Sequence, residues 1–382
     1  MKPWSAKLPL LSGRALAGVG AGALVGSFYI GTGDIAIATK MGALFGMDMW
    51  WTFFVLGLAG WTLMDMSARY YLRFGRTPLS IFKEVHPVFS IYLFVTVVVT
   101  TIIGAYSQWN TCAHVLSTLN PGIPTEVGGA LAGLAATALL VLGVYRRIEL
   151  FFVFALILLI GLFALAAVAA DAPWSAAAAG LIPSIPGSES DRTEWLGLIQ
   201  KNAGSMINAW LILIYPYTMI EKGWRSSKPL GQARILQRSR WDYGVGIAAA
   251  GIVALPVMAA AAAVARPFGI VPENATDLAA LLEPLAGSSA RLVFLVGFFI
   301  AAWTAGIGWM VCGAYAMLDL GNLKVRMESR SFRIAIALFI AASASLLFLR
   351  INPVYGIRIF TCLLYTSPSP RDLSTSRMPS SA

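Results

Sequence analysis

The chain has 382 residues, of which 58% are hydrophobic and 12% are charged, and its formal net charge is +10. Soluble globular domains carry about 25% charged residues, so the composition excludes an ordinary soluble protein and predicts a membrane protein. The basic residues lie mostly in short connections between apolar segments, which indicates membrane orientation and argues against nucleic acid as a partner.

Nine apolar segments are long enough to cross a bilayer, whose hydrocarbon core of about 30 Å needs roughly 20 residues of helix. Because lipid cannot satisfy open backbone groups, each segment is predicted to be helical, and the fold class is an all-α polytopic membrane protein. No soluble domain is predicted between them, so residues 1–361 form one transmembrane domain. In chain order the segments cover residues 15–39, 45–68, 88–115, 126–145, 148–171, 197–221, 242–265, 290–318 and 332–349.

Lysine and arginine cluster on alternate connections, before the first segment and after the second, fourth, sixth and eighth segments. Cytoplasmic connections carry the excess of basic residues, so this pattern predicts a protein of the cytoplasmic membrane with its N-terminus in the cytoplasm. The clustered residues are Lys2, Lys7, Arg14, Arg69, Arg73, Arg76, Lys83, Arg146, Arg147, Lys222, Arg225, Lys228, Arg234, Arg238, Arg240, Lys324, Arg326, Arg330 and Arg333.

The segment 362–382 loses the apolar pattern and is rich in serine, proline, threonine and arginine. It looks like translated adapter sequence, so it is predicted to be a non-native tail and is excluded from the fold. On this interpretation the natural chain continues beyond Thr361, and the fold is truncated after about nine helices.

The first segment contains Gly31-Thr32-Gly33-Asp34, which places a carboxylate at membrane depth directly after two glycines. An acidic side chain inside a membrane is costly and therefore marks a candidate functional site. Glycine lets the backbone unwind, which frees carbonyl groups to face a cation. The pattern predicts a helix break at Gly31 and Gly33, with Asp34 in a binding site.

The sixth segment contains Tyr215-Pro216-Tyr217, and proline removes a helical hydrogen bond and clashes with the preceding turn. This predicts a second helix break at Pro216. Breaks in the first and sixth helices are typical of transporters built from two inverted five-helix repeats, with the substrate site between the breaks. The first repeat is predicted to cover about 15–171, and the sixth to ninth helices of the second repeat about 197–349.

The stretches IATKMGALFGMDMWW and WTLMDMSARYYLRFGRTPL make the chain resemble the Nramp family of divalent-metal transporters. The resemblance covers about residues 14–361 and is strongest over 20–80 and 200–225. It implies the LeuT-type fold of the APC superfamily, with inverted five-helix repeats and further helices that this chain lacks.

The resemblance also implies binding positions. The family's Asp-Pro-Gly-Asn falls on residues 31–34, so glycine replaces the first aspartate and an aspartate stands at the asparagine position. The family's Met-Pro-His falls on residues 215–217, so phenols replace the methionine and the histidine. Backbone carbonyl donors are expected near Phe28 and Ile212. The implied set is Phe28, Gly31, Thr32, Asp34, Ile212, Tyr215 and Tyr217.

One carboxylate with hydroxyl and carbonyl groups is a set of hard oxygen ligands, which suits magnesium, calcium or manganese better than softer metals. The predicted function is secondary transport of a divalent cation, Mg²⁺-like or Mn²⁺-like, by alternating access, with no resident cofactor or structural metal. H⁺ or Na⁺ is the expected coupling ion. The alternative is cation-coupled symport of a small organic solute such as an amino acid, whose carboxylate would meet a positive half-helix end.

Three further hypotheses concern enzymes, sensors and gating. Gly-x-Gly-Asp also occurs in intramembrane aspartyl proteases, but their chemistry needs a second aspartate on a preceding helix, and none precedes the first segment. This argues against an enzyme. A non-transporting sensor on the same scaffold stays open, although no signalling domain supports it. Asp65 and Arg69 are four residues apart, which predicts a helical ion pair that anchors the second segment or acts as a gate.

Overall fold

The computed structural model describes residues 30–142, 145–272 and 275–349. Within these residues the chain is helical and contains no strand. The α-helices are α1 (Thr32–Phe45), α2 (Trp51–Phe74), α3 (Pro78–Val85), α4 (Pro87–Leu119), α5 (Thr125–Leu142), α6 (Tyr145–Ala169), α7 (Glu189–Met206), α8 (Ala209–Glu221), α9 (Pro229–Val264), α10 (Ala275–Leu320) and α11 (Arg330–Phe348).

Seven helical stretches among the described residues are long and apolar enough to cross a membrane. They correspond to the third to ninth predicted segments, and the sixth of these segments is shared between α7 and α8. The second segment is the helix α2, whose C-terminal half carries charged residues. The first segment begins outside the described residues, and α1 is its second half. The prediction of an all-α polytopic membrane protein is confirmed.

Two close helix contacts fix the position of the site. The helix α1 lies along α9, and a side chain at Gly42 would overlap the carbonyl oxygen of Met258. The helix α4 lies along α10, where a side chain at Gly306 would overlap the ring of Trp109. Lipid provides no hydrophobic force to drive helix association, so membrane helices associate through close van der Waals packing. Small residues such as these glycines permit that close approach.

The sixth segment is interrupted, but not where proline predicted the break. The helix α8 runs through Pro216 without a break. The interruption lies at Ile207 (φ −102°, ψ 53°) and Asn208 (φ −72°, ψ 109°), between the end of α7 and the start of α8. The prediction of a break at Pro216 is therefore wrong. Proline removes one hydrogen bond from α8, whereas Asn208 begins a new helix by capping it.

Candidate functional site

The helix α1 begins at the predicted first break, in the interior of the protein. Gly31 is buried and extended (φ −95°, ψ 179°), and Thr32 is the first helical residue. Gly33 lies in the first turn of α1, so the change of backbone direction occurs at Gly31 and not at Gly33. Phe28, a predicted carbonyl donor, and the half of the first segment before it lie outside the described residues.

Asp34 joins the start of α1 to the end of α7. Its Oδ2 accepts a hydrogen bond from the backbone N–H of Gly31 at 2.9 Å. Its Oδ1 accepts a hydrogen bond from the hydroxyl of Ser205, which lies in the last turn of α7. The carboxylate therefore lies where the N-terminus of α1 meets the interruption of the sixth segment.

Gln108 brings a third element to this point. Its Oε1 accepts a hydrogen bond from the backbone N–H of Thr32 at 3.3 Å, and its Nε2 donates to the hydroxyl of Ser107 at 3.3 Å. Gln108 belongs to α4 and is 6% exposed. An amide at this depth needs partners, and it finds one on the open backbone at the start of α1.

The interruption at 206–208 presents a further group of residues. Asn208 caps α8, because its Oδ1 accepts hydrogen bonds from the N–H groups of Trp210 at 3.0 Å and Leu211 at 3.3 Å. Met206, the last residue of α7, is fully buried. The interruption thus carries Met206-Ile207-Asn208, nine residues before Tyr215.

Tyr215 and Tyr217 were predicted to face the substrate, and the structure places their hydroxyls elsewhere. The hydroxyl of Tyr215 donates to Asp242 Oδ2 at 3.1 Å, and that of Tyr217 donates to Asp319 Oδ2 at 2.6 Å. Both rings are buried. These two phenols bond a buried carboxylate of α9 and a partly buried one of α10, so the structure does not group them with Asp34.

Ile212 keeps one feature of its predicted role. Pro216 has no N–H, so it cannot bond the carbonyl oxygen of Ile212 in the usual way along α8. That carbonyl is consequently available to another donor or to a cation.

The predicted ion pair of Asp65 and Arg69 is present in α2, with Arg69 Nε 2.6 Å from Asp65 Oδ2. Asp65 also accepts from Arg240 Nε at 2.8 Å and from the hydroxyl of Tyr243 at 2.7 Å. The carboxylate therefore ties α2 to α9. Because Asp65 is engaged by these cations and Asp34 by Ser205, the two aspartates do not form the acid pair of an aspartyl protease.

Within the residues that the structure describes, no three histidine, cysteine, aspartate or glutamate side chains converge on one point. A cation at Asp34 would therefore take its remaining ligands from hydroxyl, amide, thioether or carbonyl groups. Ser205, Gln108 and Met206 are not among the binding residues that the sequence predicts. Gln108 and Ser205 could have been identified in the sequence by one signal, because each is a polar side chain within an apolar segment.

A family model described as "Natural resistance-associated macrophage protein-like", or Nramp, matches residues 22–366. Among solved structures, the Eremococcus coleocola manganese transporter in complex with an aromatic bis-isothiourea-substituted compound is similar, with a TM-score of 0.71 and 17% identity over 95% of this chain and 75% of that one. A mutant of that transporter has a TM-score of 0.66 and 15% identity, covering 98% and 92% of the two chains. No curated protein matched the sequence.

A second kind of transporter shares the architecture. Mhp1, a nucleobase-cation-symport-1 family transporter in a closed conformation with bromovinylhydantoin bound, has a TM-score of 0.65 and 12% identity, over 91% of this chain and 75% of that one. The fold is therefore the LeuT-type fold of multi-pass membrane transporters. Because the Nramp model spans most of its length, the chain belongs to the Nramp family.

Proposed function

We propose that this protein is a secondary transporter that moves a divalent metal cation across the cytoplasmic membrane by alternating access, and is not an enzyme. The observation that carries the proposal is the carboxylate of Asp34, held between the start of α1 and the interruption of the sixth segment. Family membership supports a metal cation as the substrate. Transporters of this architecture hold ions near the middle of the membrane where helices are broken, and an acidic side chain inside the membrane marks such a pathway.

The proposed ligand set starts from Asp34 and the hydroxyl of Ser205. The amide oxygen of Gln108, the carbonyls of Ile212 and Gly31 and the hydroxyl of Thr32 complete the proposed set with further neutral oxygen donors. A site with one negative charge leaves part of the charge of a divalent ion to water, so the bound ion keeps several waters.

Met206 refines the proposed selectivity. A thioether is a soft ligand, and a single soft ligand among oxygens favours manganese over magnesium and calcium. Met206 is buried at the interruption, as the family motif would require of a methionine ligand. We therefore place Mn²⁺ ahead of Mg²⁺ as the substrate, with H⁺ or Na⁺ as the coupling ion.

Isothermal titration of the purified protein with Mn²⁺, Mg²⁺ and Ca²⁺ tests the proposal. At least one ion is expected to give heat, and Asp34→Asn is expected to abolish it because the site loses its only formal charge. Asp48→Asn is the matched control, since Asp48 is an exposed aspartate in the turn that follows α1. The same variants are then compared for ion uptake into liposomes under a proton or a sodium gradient.

Heat from an ion that persists in Asp34→Asn would remove Asp34 from the site. The absence of heat from all three ions would favour the organic-solute symporter, in which Asp34 holds a coupling sodium ion or a substrate amine. Equal loss in Asp34→Asn and Asp48→Asn would attribute the effect to surface charge.

A further inference from the structure

A groove of about 560 Å³ lies on the surface between α2 and α9. Its walls are apolar and exposed, with Leu58 65% and Trp241 67% accessible. Glycines on both helices, Gly57 and Gly244, line it, and a side chain at either would meet the facing helix at Ile247 or Trp61. In a multi-pass membrane protein, exposed apolar walls between two spanning helices face lipid, so a groove of this kind receives an acyl chain.

One end of the groove is basic. The wall contributed by α9 follows a helical stripe through Gln237, Trp241, Gly244 and Ala248. Continued by one turn toward the start of α9, the same stripe reaches Arg234, and Arg238 lies beside Gln237. Both arginines are exposed. The positive-inside pattern predicts that this end faces the cytoplasm.

Among the described residues, the arginines at this end have fewer carboxylates than they could pair with. Asp65 is a single carboxylate, and it accepts bonds from both Arg69 and Arg240. The side chain of Arg69 remains 56% exposed and that of Arg240 37% exposed. A guanidinium group has five N–H donors, of which Asp65 takes two from Arg240. Two cations on one anion therefore leave positive charge and open donors at the mouth of the groove.

Tryptophans mark the depth of this end in the membrane. Trp61 lines the groove, its indole N–H donates to the backbone carbonyl of Arg240 at 3.4 Å, and its ring lies 5.9 Å from the guanidinium of Arg240. Trp241 lies on the opposite wall. Tryptophan concentrates at the level of lipid headgroups, so the basic end sits where a phosphate of the inner leaflet would sit.

We propose that this groove binds an anionic phospholipid of the inner leaflet. An acyl chain lies between α2 and α9, and the phosphate lies against Arg240 and the neighbouring arginines. The binding of such a lipid would hold α2 and α9 together beside the helix α1, which packs against α9 and carries Asp34. This site is separate from the proposed cation site.

Native mass spectrometry of the purified protein tests this site, using phosphatidylglycerol and phosphatidylcholine with identical acyl chains. Phosphatidylglycerol is expected to bind more tightly. The double variant Arg234→Gln/Arg238→Gln is expected to lose about 25-fold in phosphatidylglycerol affinity, since each basic residue near a membrane surface contributes roughly fivefold. Gly244→Leu fills the groove without changing the charge and is expected to weaken the same binding.

The matched control is Arg330→Gln/Arg333→Gln, which removes two exposed arginines on the same predicted side of the membrane but far along the chain. Its lipid preference is expected to be that of the unmodified protein. Equal binding of the two lipids, an equal loss in the control, or displacement of the lipid by the same concentration of inorganic phosphate would overturn the proposal. If Gly244→Leu fails to fold, the surface arginine variants still test it.

Discussion

Asp34 illustrates how much one side chain depends on its neighbours. The carboxylate accepts hydrogen bonds from Gly31 and Ser205, two groups that satisfy its charge when no cation is near. A buried carboxylate without such partners would be strongly unfavourable. A cation that enters must therefore replace or share these bonds, and the hydroxyl of Ser205 can turn its oxygen toward the ion.

Two variants distinguish the two candidates for the residue that sets ion selectivity, Met206 and Tyr215. Met206→Ala is expected to lower the preference for Mn²⁺ over Mg²⁺ by about tenfold, as losing a group that completes a metal site does. Tyr215→Phe is expected to leave that preference unchanged, because the hydroxyl of Tyr215 is bound to Asp242. Competitive titration of the two ions measures both.

A changed preference in Tyr215→Phe with an unchanged one in Met206→Ala would restore the motif to residues 215–217. It would also mean that the hydroxyl of Tyr215 leaves Asp242 when the ion binds.

At the scale of elements, the interruption of the sixth segment depends on the start of α8. The first N–H groups of a helix have no partner within it, and in a membrane they need one. Asn208 supplies this partner for Trp210 and Leu211. The interruption is thus the capped N-terminus of α8 and not a consequence of Pro216.

Removal of this cap gives a prediction on stability. Asn208→Ala is expected to lower the free energy of unfolding by about 1 kcal/mol, whereas Asn208→Ser, which keeps an acceptor, is expected to change it by only a few tenths. Unfolding in a series of SDS concentrations measures both variants. Equal stability of the alanine and serine variants would show that the side chain of residue 208 does not hold α8.

The position of α8 also explains why the sequence misplaced the second break. Proline is the strongest signal for a break in a helix, and Pro216 was the only proline in the sixth segment. Asn208 carries a weaker signal, since asparagine starts helices but also occurs in many other settings. At Gly31 the sequence signal and the structure agree, because α1 starts there and Asp34, three residues later, caps the backbone N–H of Gly31.

At the scale of the whole molecule, a buried cluster of charges connects three helices. Lys222 at the end of α8 lies 3.0 Å from Glu149 of α6 and 3.3 Å from Asp242 of α9. The three side chains are 10%, 11% and 0% exposed. Tyr215 adds a fourth polar group through Asp242. The cluster fixes the half-helix α8 against its neighbours.

Breaking this cluster is expected to be costly. Lys222→Met leaves two buried carboxylates without their cation, which is expected to lower the free energy of unfolding by about 3–5 kcal/mol. The triple variant with Glu149→Gln and Asp242→Asn is expected to recover most of this loss, because all three charges of the cluster are then removed together. Unfolding in SDS measures both.

The exposed ion pair of Arg76 and Glu84 provides the control for this comparison. Arg76→Met is expected to change stability by less than about 1 kcal/mol, since solvent screens such pairs. A similar effect of Lys222→Met and Arg76→Met would mean that the Lys222 cluster does not hold α8.

The sequence by itself determined the class of this protein, its helices and the first half of the site. Apolar length and backbone hydrogen bonding leave a lipid-embedded chain few options, so seven spans could be located from composition alone. Asp34 stood out for the same reason, because a carboxylate is costly in lipid. The partners of Asp34 were decided only by tertiary structure. Ser205, which donates to its carboxylate, lies 171 residues from it. Gln108, which accepts from the nearby backbone N–H of Thr32, lies 76 residues from Thr32, and chain periodicity carries no information on which helices will touch.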